Sequence, residues 1–274
     1  MKILQVITGI NYGGAENFVL SLMPGLLEKG CKIELAYLKS DGEQEQEYRA
    51  LGIPVHKIGM SSNFSPKTLF GLYKLMKKGK YEIVHTHLFH AEVYGGLAAY
   101  LANIPYIVTS KHNDEGFLRD RRYALVHKQI SRIPQRIICL SHHVAEFTKK
   151  VGVDDPSKIR VIHYGMDWKK FEKKVRNLSL RKEFGISDDE VLVCTVARLT
   201  EQKGIQYLID AMKLVIDRGI NAKLIIVGRG ELLYNLVKQT ACLGLDNTVI
   251  FAGFRTDIAD IMHCSDIFVL PSLW

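Results

Sequence analysis

The sequence predicts an α/β protein with two doubly wound domains that face a crevice, the second of them incomplete. Short runs of β-branched residues alternate with longer stretches whose apolar residues recur every three or four positions, through all 274 residues. A charged segment, residues 163–187, interrupts this alternation, which begins again near residue 188. Strands that alternate with helices predict right-handed crossovers and parallel sheets covered by helices.

The first half of the chain contains six predicted strands and five predicted helices. The strands are Ile3–Ile7, Lys32–Tyr37, Ile83–His85, Tyr106–Thr109, Arg136–Leu140 and Arg160–Ile162, and the helices lie near 15–28, 66–78, 91–103, 120–132 and 142–150. The first helix carries Phe18, Leu22 and Leu26 on one face. We interpret residues 1–162 as one Rossmann-like domain.

The second half repeats the pattern with fewer strands. Its strands are Val191–Val196, Lys223–Val227, Val249–Ala252 and Ile267–Leu270, and its helices are Gly204–Arg218, 231–243 and 256–263. Residues 163–187 are charged and predict a linker followed by a short helix, so the second domain covers 188–274. Doubly wound dinucleotide-type sheets commonly have six strands, and we therefore expect this domain to be truncated.

Composition excludes several classes of protein. The five cysteines are odd in number, widely spaced and without a C-x-x-C pair, which favours reduced thiols over disulfides or a zinc site. The apolar start MKILQVIT is too short for a signal peptide. The uncharged stretch Val93–Ser110 contains Asn103 and Pro105 and is divided into a helix, a turn and a strand rather than a membrane span. We expect a cytoplasmic protein.

The net charge of +8 is unevenly distributed. Residues 1–175 carry +9, whereas residues 176–274 carry −1. A basic first half indicates an anionic partner, such as a membrane surface or an acidic acceptor, although a solvated basic face explains the charge equally well. Nucleic acid is the weakest candidate, since the chain has no zinc knuckle, ribonucleoprotein motif or recognition-helix signature.

Two cations follow the first strand of the second domain. Arg198 and Lys203 come after the strand that ends at Val196, and Gly204 opens the next helix. Cations at a strand's carboxyl end, beside a helix N-terminus, are typical of a diphosphate site. They would also stabilise negative charge on a departing group. From spacing alone, ordinary surface charges are an equal alternative.

Glycines follow other strands at the same predicted sheet edges. Gly13 and Gly14 open the first helix, where backbone can approach a ligand, although a plain turn explains them as well. The second domain offers a further set after its next two strands: Gly228, Gly230, Phe254 and Arg255. Leu233 stands where a dinucleotide fingerprint needs its last glycine, so a dinucleotide oxidoreductase is disfavoured.

Histidines cluster in the first domain, at positions 85, 87, 90, 112, 142 and 143. His112 follows the strand that ends at Thr109, so we expect it to face the crevice, where it could hydrogen-bond a sugar hydroxyl. His85 and His87 are more often structural hydrogen-bonding residues. The chain has neither H-E-x-x-H nor Asp-x-Asp, and we predict no metal site.

Six segments, taken in order, resemble landmarks of the retaining family-4 glycosyltransferases, a family with the GT-B architecture. They are MKILQVITGINYGGAE, HTHLFHAEVYGGLAAYLANIPYIVTSKHND, VIHYGMDWKKF, VARLTEQKG, LIIVGRGEL and FAGFRTDIADIMHCSDIFVLPS. The resemblance runs over essentially the whole chain. It implies an acceptor-side first domain and a donor-binding second domain.

The resemblance also implies roles for individual residues. Arg198 and Lys203 would bind the donor diphosphate, and His112 would contact the transferred sugar as the catalytic candidate. The remaining donor-binding candidates are Gly13, Gly14, Gly228, Gly230, Phe254 and Arg255. The co-substrate would be a nucleotide-sugar, with a UDP-sugar expected, and no cofactor or metal would be needed. Transfer would retain anomeric configuration, to a glycan or lipid-linked acceptor. The basic first half of the chain indicates an acceptor that is lipid-linked at the inner face of the plasma membrane, although a salt-bridged surface explains the charge as well.

Two departures from the family pattern stand out. Tyr164 occupies a position where the linker motif usually has Asn. The family's paired glutamates, separated by seven residues after the L-P-S strand, do not occur in the sequence, which runs to Trp274. We therefore expect most or all transfer activity to be lost in this chain.

Two other functions remain open on the sequence. One is a non-catalytic fragment that binds an acceptor or a membrane surface, which weak nucleotide binding with retained lipid binding would favour. The other is a sugar-nucleotide epimerase of the same architecture, which would isomerise the sugar without transferring it.

Overall fold

The computed structural model describes residues 1–39, 41–153, 155–166, 168–172 and 178–274. The chain divides into two compact units, Met1–Met166 (the first unit) and Asp167–Trp274 (the second unit). Both are α/β, as predicted, with parallel strands joined through helices. Of the predicted linker and short helix at 163–187, residues 167 and 173–177 lie outside the described residues.

The first unit contains a seven-stranded sheet in the order β3-β2-β1-β4-β5-β6-β7. The strands are β1 Lys2–Ile7, β2 Lys32–Tyr37, β3 Val55–Lys57, β4 Ile83–His87, β5 Tyr106–Lys111, β6 Arg136–Cys139 and β7 Ile159–Val161. All neighbouring strands pair in parallel. The strand order reverses between β1 and β4, and ligands of open α/β sheets bind at the carboxyl ends of the strands beside such a point.

Helices connect these strands. They are α1 Gly14–Glu28, α2 Glu45–Ala50, α3 Pro66–Gly79, α4 Phe89–Leu101, α5 Arg121–Ile130 and α6 His142–Gly152, with short 3-10 turns at Gly116–Arg119 and Pro156–Lys158. Local sequence explains several helix starts. The Ser65 side chain accepts from the Thr68 amide ahead of α3, and Ser141 does the same for Val144 in α6.

Strand β1 shows how the first unit buries both faces of its sheet. Leu4 and Val6 lie in a core with residues of α3 and α4. Ile3 and Ile7 lie in the other core, with residues of α1 and β2. Successive side chains of a strand point to opposite faces, so a nearly continuous apolar run is what a strand buried on both sides requires.

The second unit contains a four-stranded parallel sheet in the order β10-β9-β8-β11. Its elements are α7 Leu178–Glu183, β8 Val191–Val196, α8 Ile205–Asp217, β9 Ala222–Val227, α9 Leu233–Cys242, β10 Val249–Gly253, α10 Ile258–Cys264 and β11 Ile267–Phe268. Short 3-10 turns lie at Trp168–Phe171 and Glu201–Lys203. One core cluster packs β8 and β9 against α8 and α9, and the other packs them against α7 and α10.

A buried arginine fastens α7 to this unit. The Arg181 side chain is 1% exposed and donates to the backbone carbonyls of Ser187 and Glu190, each at 2.6 Å, and of Cys264 at 3.2 Å. Asp266 lies 3.5 Å from the same guanidinium and also accepts from the Leu192 amide. The buried charge is therefore paired with Asp266 and hydrogen-bonded through both terminal nitrogens.

The predicted elements are present with shifted ends, and two elements are additional. The strand predicted over Ile83–His85 continues to His87, and the strand predicted over Ile267–Leu270 pairs only over its first two residues. The additions are α2 and β3, whose six and three residues are too short to show a periodic pattern. No helix in the described part of the chain is long and apolar enough to cross a membrane.

Candidate functional site

Four side chains form a continuous hydrogen-bonded series at the strand ends of the first unit. Gln5 Oε1 lies 2.8 Å from His87 Nε2, and His87 Nδ1 lies 3.0 Å from His112 Nε2. His112 Nδ1 lies 2.9 Å from the Tyr164 hydroxyl. We call this series the histidine chain. It contains the sequence-predicted His112 and connects it to three residues to which the sequence assigned no function.

Parallel pairing of neighbouring strands positions the histidine chain. Gln5 lies within β1, whose neighbour β4 ends at His87, and His112 comes directly after the last residue of β5. Tyr164 follows β7, and its ring packs edge-on against Phe18 of α1 at 4.4 Å and 90°. Because parallel strands end at one edge of a sheet, residues far apart in sequence meet here.

Burial keeps the histidines of this edge neutral. It lowers the pKa of His112 to about 4, with a further contribution from the Lys111 charge, and lowers the pKa of His85 to about 3. The pKa of His87 is also well below its ordinary value, again mainly through burial. Burial raises the pKa of Tyr164 to about 12. At neutral pH the chain therefore consists of neutral imidazoles and a protonated phenol.

A buried charge cluster includes Lys111, the residue that precedes His112. Lys111 forms an ion pair with Glu92, and the two side chains are 5% and 3% exposed. Glu115 lies 4.0 Å from the same ammonium, and burial raises the pKa of that carboxyl. His127 is fully buried, 3.8 Å from Glu92. Removing either partner of such a pair leaves an uncompensated buried charge, so the cluster holds the end of β5 in place.

Gly13 and Gly14 differ in the space around them. Gly13 is the N-cap of α1 in an extended conformation, and a Cβ there would lie 2.3 Å from the Glu16 carboxylate. A Cβ on Gly14 would meet no atom within 4 Å. The start of α1 therefore has open space at Gly14, as close approach of a ligand to the backbone requires.

Arg198 and Lys203 follow β8 in the second unit. Neither side chain has a carboxylate partner in the described part of the unit. Burial lowers the pKa of Lys203, and the positive charge of Arg198 lowers it further, so the two cations interact. Gly204 ends the intervening turn at φ +61, where a Cβ would lie 2.3 Å from the Pro271 carbonyl. Two neighbouring cations without counter-charges favour an anionic ligand.

Gly228 and Gly230 have a structural reason to be glycine. Gly228 has φ +142, and a Cβ there would lie 1.9 Å from the Ala197 carbonyl oxygen. A Cβ on Gly230 would lie 2.3 Å from the Leu199 carbonyl oxygen. The loops after β8 and β9 thus pack backbone against backbone, and this packing requires both glycines without any ligand.

Phe254 and Arg255 are engaged within the second unit. The Arg255 guanidinium donates to Asp257 at 2.7 and 2.9 Å and to Glu183 at 2.6 Å. Phe254 stacks under the Arg229 guanidinium at 5.0 Å. An anion would compete with two carboxylates for Arg255, whereas it meets no such competition at Arg198.

The sequence contained one signal for the residues of the histidine chain that it did not assign. Gln5 is a polar residue within the apolar run ILQVI of β1, and a buried polar side chain needs a partner. For Phe18, helical periodicity indicates only a core position. In the described part of the chain, no group of three or more His, Cys, Asp or Glu residues is placed to hold a metal ion, and all five cysteines are free.

Comparison with known families gives two matches that together span most of the chain. Residues 12–170 match Glycosyltransferase Family 4, and residues 177–274 match Glycosyl transferases group 1. One curated relative is the UDP-Gal:alpha-D-GlcNAc-diphosphoundecaprenol alpha-1,3-galactosyltransferase of Escherichia coli, 34% identical over 84% of this chain and 62% of its own length. The chain thus spans under two thirds of that relative.

Two further comparisons extend the relationship. An N,N'-diacetylbacillosaminyl-diphospho-undecaprenol alpha-1,3-N-acetylgalactosaminyltransferase of Campylobacter jejuni is 26% identical over 96% of this chain and 73% of its own length. The solved structure of Anabaena HepE in complex with UDP and glucose superposes with a TM-score of 0.86 at 23% identity, over 99% of this chain and 74% of that one. At that identity the superposition shows the GT-B fold.

Proposed function

This chain belongs to glycosyltransferase family 4, and we propose that its sites serve the transfer of a sugar from a nucleotide-sugar donor to a glycan or lipid-linked acceptor, at a low rate because the sequence lacks the family's paired glutamates. The donor is a UDP-sugar, which is supported by the UDP complex of HepE and by the donor named for the Escherichia coli relative. Both galactosyl- and N-acetylgalactosaminyltransferase relatives are named for diphosphoundecaprenol-linked acceptors, which supports the same acceptor class here.

The observation that carries this proposal is the pair of unpartnered cations after β8. In the proposed reaction, Arg198 grips the donor diphosphate with parallel hydrogen bonds, and Lys203 adds a second positive charge. The same side chains stabilise the charge that develops on the leaving nucleoside diphosphate, and transfer therefore proceeds without a metal ion. The open space at Gly14 lets the backbone approach the donor. Gly228 and Gly230, which the packing of the loops after β8 and β9 already requires, offer their backbone to the donor as well.

His112 contacts the transferred sugar in this proposal, and the reaction retains anomeric configuration. A neutral imidazole is suited to hydrogen-bonding a hydroxyl, and burial keeps the pKa of His112 at about 4. Loss of that contact in His112→Ala should lower transfer while leaving UDP binding intact, because the diphosphate is bound through Arg198 and Lys203.

The donor site can be tested by thermal shift with UDP, GDP and ADP on the wild-type chain and on Arg198→Ala. A ligand bound only to the folded state stabilises it by about 2.7 kcal/mol at a hundredfold excess over Kd. We expect a shift with UDP that Arg198→Ala abolishes. Arg218→Ala is the matched control, since this exposed arginine lies at the other end of α8 and should leave the shift unchanged. An unchanged shift in Arg198→Ala would contradict the assignment.

The reaction itself can be tested with radiolabelled UDP-galactose and a diphosphoundecaprenol-linked GlcNAc acceptor in the presence of EDTA. We expect labelled product with an α linkage, formed slowly because the paired glutamates are absent from the sequence, and identified by NMR of the anomeric proton. Isomerised nucleotide-sugar without transfer would support the epimerase instead. UDP binding with neither product would contradict catalysis by this chain.

The proposed acceptor implies contact with a membrane surface, and α5 offers a suitable one. Tyr123, Leu125 and Val126 are 40%, 62% and 44% exposed, next to the exposed cations Arg121 and Arg122. Apolar side chains mixed with cations favour an anionic bilayer surface at its cytoplasmic face. We expect flotation with phosphatidylglycerol vesicles but not with phosphatidylcholine vesicles, and loss of flotation in Leu125→Glu. Equal flotation of both proteins would contradict a role for α5.

A further inference from the structure

A cleft of about 390 Å³ opens in the first unit, where the segment after β5 meets α5 and α6. Its floor is apolar, since Leu118 and Phe147 line it and are only 2% and 9% exposed. Exposed cations line it as well, namely Arg119, Arg121 and Lys150. Its volume lies within the range of small-molecule sites, and an apolar surface beside a few polar groups is the usual composition of such a site.

The carboxylates that line the cleft, Asp114 and Glu146, already have cationic partners. Asp114 Oδ2 lies 3.2 Å from the Arg119 guanidinium and 3.8 Å from His143 Nε2. Glu146 Oε1 accepts a hydrogen bond from the Lys149 ammonium at 2.8 Å. Each negative charge is therefore offset by an adjacent cation, so these carboxylates oppose an anionic ligand only weakly.

Arg121 and Lys150 have no such partner. Among the residues that the structure describes, no carboxylate lies within ion-pair distance of either side chain. Arg121 begins α5 and Lys150 lies in the last turn of α6, so the two charges border the cleft from different helices. The third cation, Arg119, is held with its guanidinium over the Phe147 ring at 5.7 Å. Cations without counter-charges beside an apolar floor favour a ligand that joins an anionic group to an apolar one.

We propose that this cleft binds the diphosphate that joins the sugar to the lipid in the acceptor. Arg121 and Lys150 bind the phosphate oxygens, the arginine through parallel hydrogen bonds and the lysine as a point charge. The first carbons of the lipid chain lie on Leu118 and Phe147. Naming the ligand as the acceptor rests on the proposed function, whereas the cleft by itself specifies a phosphate ester with an apolar substituent.

The position of the cleft along the chain supports this assignment. Asp114 closely follows His112, which lies in the histidine chain at the strand ends. On the other side, Arg121 begins the helix whose exposed residues Tyr123 and Leu125 belong to the apolar surface of α5. The diphosphate of a lipid-linked sugar lies between the sugar and the lipid chain. The cleft has the corresponding place, between the His112 segment and the α5 surface.

Binding can be measured by isothermal titration calorimetry on the full chain, with a soluble ester in which GlcNAc is joined through a diphosphate to an undecyl chain. Neither nucleotide nor vesicles are present, so the donor site and the membrane surface do not contribute. The undecyl glycoside of GlcNAc lacks the diphosphate and should bind at least about tenfold more weakly, because it loses the charge-assisted hydrogen bonds. Equal affinity for the two compounds would overturn the proposal.

Arg121→Ala and Lys150→Ala should each weaken binding of the diphosphate ester by about tenfold. Both residues are exposed and have no ion-pair partner in the described part of the unit, so the variants should fold like the wild-type chain. Lys128→Ala is the matched control, because this exposed lysine of α5 does not line the cleft, and it should leave the affinity unchanged. Unchanged affinity in both cleft variants, or an equal loss in Lys128→Ala, would overturn the proposal.

A bilayer headgroup is the other source of a phosphate ester, and dihexanoyl phosphatidylglycerol below its micelle concentration tests it. Each phosphate of a diphosphate diester carries a negative charge, so Arg121 and Lys150 can bind one phosphate each. The single phosphodiester of phosphatidylglycerol leaves one of these cations without an anion, and we expect it to bind about tenfold more weakly. Equal affinity for the two lipids would make the cleft a phospholipid site and overturn its assignment to the acceptor.

These measurements separate the cleft from the proposed function. UDP should still stabilise Arg121→Ala and Lys150→Ala, because Arg198 and Lys203 lie in the second unit. If the ester binds as expected but UDP does not bind and no sugar is transferred, the proposed function fails and the cleft stands as a phosphate-ester site. If lipid-linked GlcNAc is a substrate with the same KM in the wild-type chain and in both cleft variants, the cleft fails and the proposed function stands.

Discussion

The two units have the same strand order around their first strands, but the strand ends are neutral in the first unit and positively charged in the second. In the first unit, β3-β2-β1-β4 leads to a closed series of neutral, hydrogen-bonded side chains. In the second unit, β10-β9-β8-β11 leads to Arg198 and Lys203, which have no carboxylate partner among the described residues. One fold thus carries a neutral, hydrogen-bonded edge in the first unit and a positively charged edge in the second.

The difference follows from burial. A polar group that leaves water must be hydrogen-bonded, and a buried charge must be paired, which accounts for the histidine chain and for Lys111 beside Glu92. Arg198 is exposed and Lys203 is half-buried, so water can solvate their charges until a ligand arrives. A cation without a carboxylate partner can persist in a folded protein only where water solvates its charge, and such a cation is available to an anionic ligand.

The largest expected contrast between the units comes from removing one cation in each. Lys111→Met leaves Glu92 buried without its partner, and we expect a loss of about 3–5 kcal/mol in the free energy of unfolding. Arg198→Met removes an unpaired exposed charge, and we expect a change within about 0.5 kcal/mol. Urea titration, monitored by hydrogen exchange and mass spectrometry, measures the free energy of unfolding of each unit separately. Equal losses in the free energy of unfolding for Lys111→Met and Arg198→Met would contradict the expected difference between the units.

A second contrast compares glycines from the two predicted ligand loops. Gly228→Ala forces a Cβ against the Ala197 carbonyl at φ +142, and we expect a loss of about 3 kcal/mol in the second unit. Gly13→Ala meets only the Glu16 carboxylate, which can rotate away, and we expect a loss below about 1 kcal/mol in the first unit. The comparison fails if Gly13→Ala proves as damaging as Gly228→Ala in the same exchange measurement.

Mild acid should weaken the first unit selectively. Burial lowers the pKa of His85, His112 and His127 to about 3, 4 and 4, so below pH 6.5 the unfolded chain binds protons that the folded chain does not. The free energy of unfolding should therefore fall as the pH falls, by about 2 kcal/mol between pH 7 and pH 6 from these three histidines, and the lowered pKa of His87 adds to this loss. Exchange rates measured at both pH values check this. Equal weakening of the second unit, which contains only His263, would contradict it.

The smallest expected effect is a change in the pKa of Lys203 when Arg198 is removed. The Arg198 charge lowers the pKa of Lys203, so Arg198→Ala should raise that pKa, although burial will keep it below its ordinary value. NMR titration of the ¹⁵N-labelled lysine ammonium groups measures the change, with Arg218→Ala as the control. An unchanged pKa would mean that the two cations are too far apart to hold one diphosphate.

The α/β class and nearly all elements could be predicted because each element carries its own periodic signal. β1 and α1 show it clearly, since the sheet and the helix each bury a repeated set of apolar positions. β3 and α2 could not be found, because three and six residues contain too little of either repeat. The order of the strands in the first sheet, with its reversal between β1 and β4, depends on contacts between distant residues, which no local sequence pattern encodes.

The candidate site shows the same division. The sequence determined that His112, Arg198 and Lys203 follow strands, because each strand is local and parallel strands end at one edge. Only the tertiary structure decided that Gln5, His87 and Tyr164 connect to His112, since these contacts join residues 25 to 82 positions apart. It also decided that Gly228 serves backbone packing and that Arg255 is held by carboxylates. Residue type and spacing specify which groups a chain offers, whereas burial and distance decide which of them remain available to a ligand.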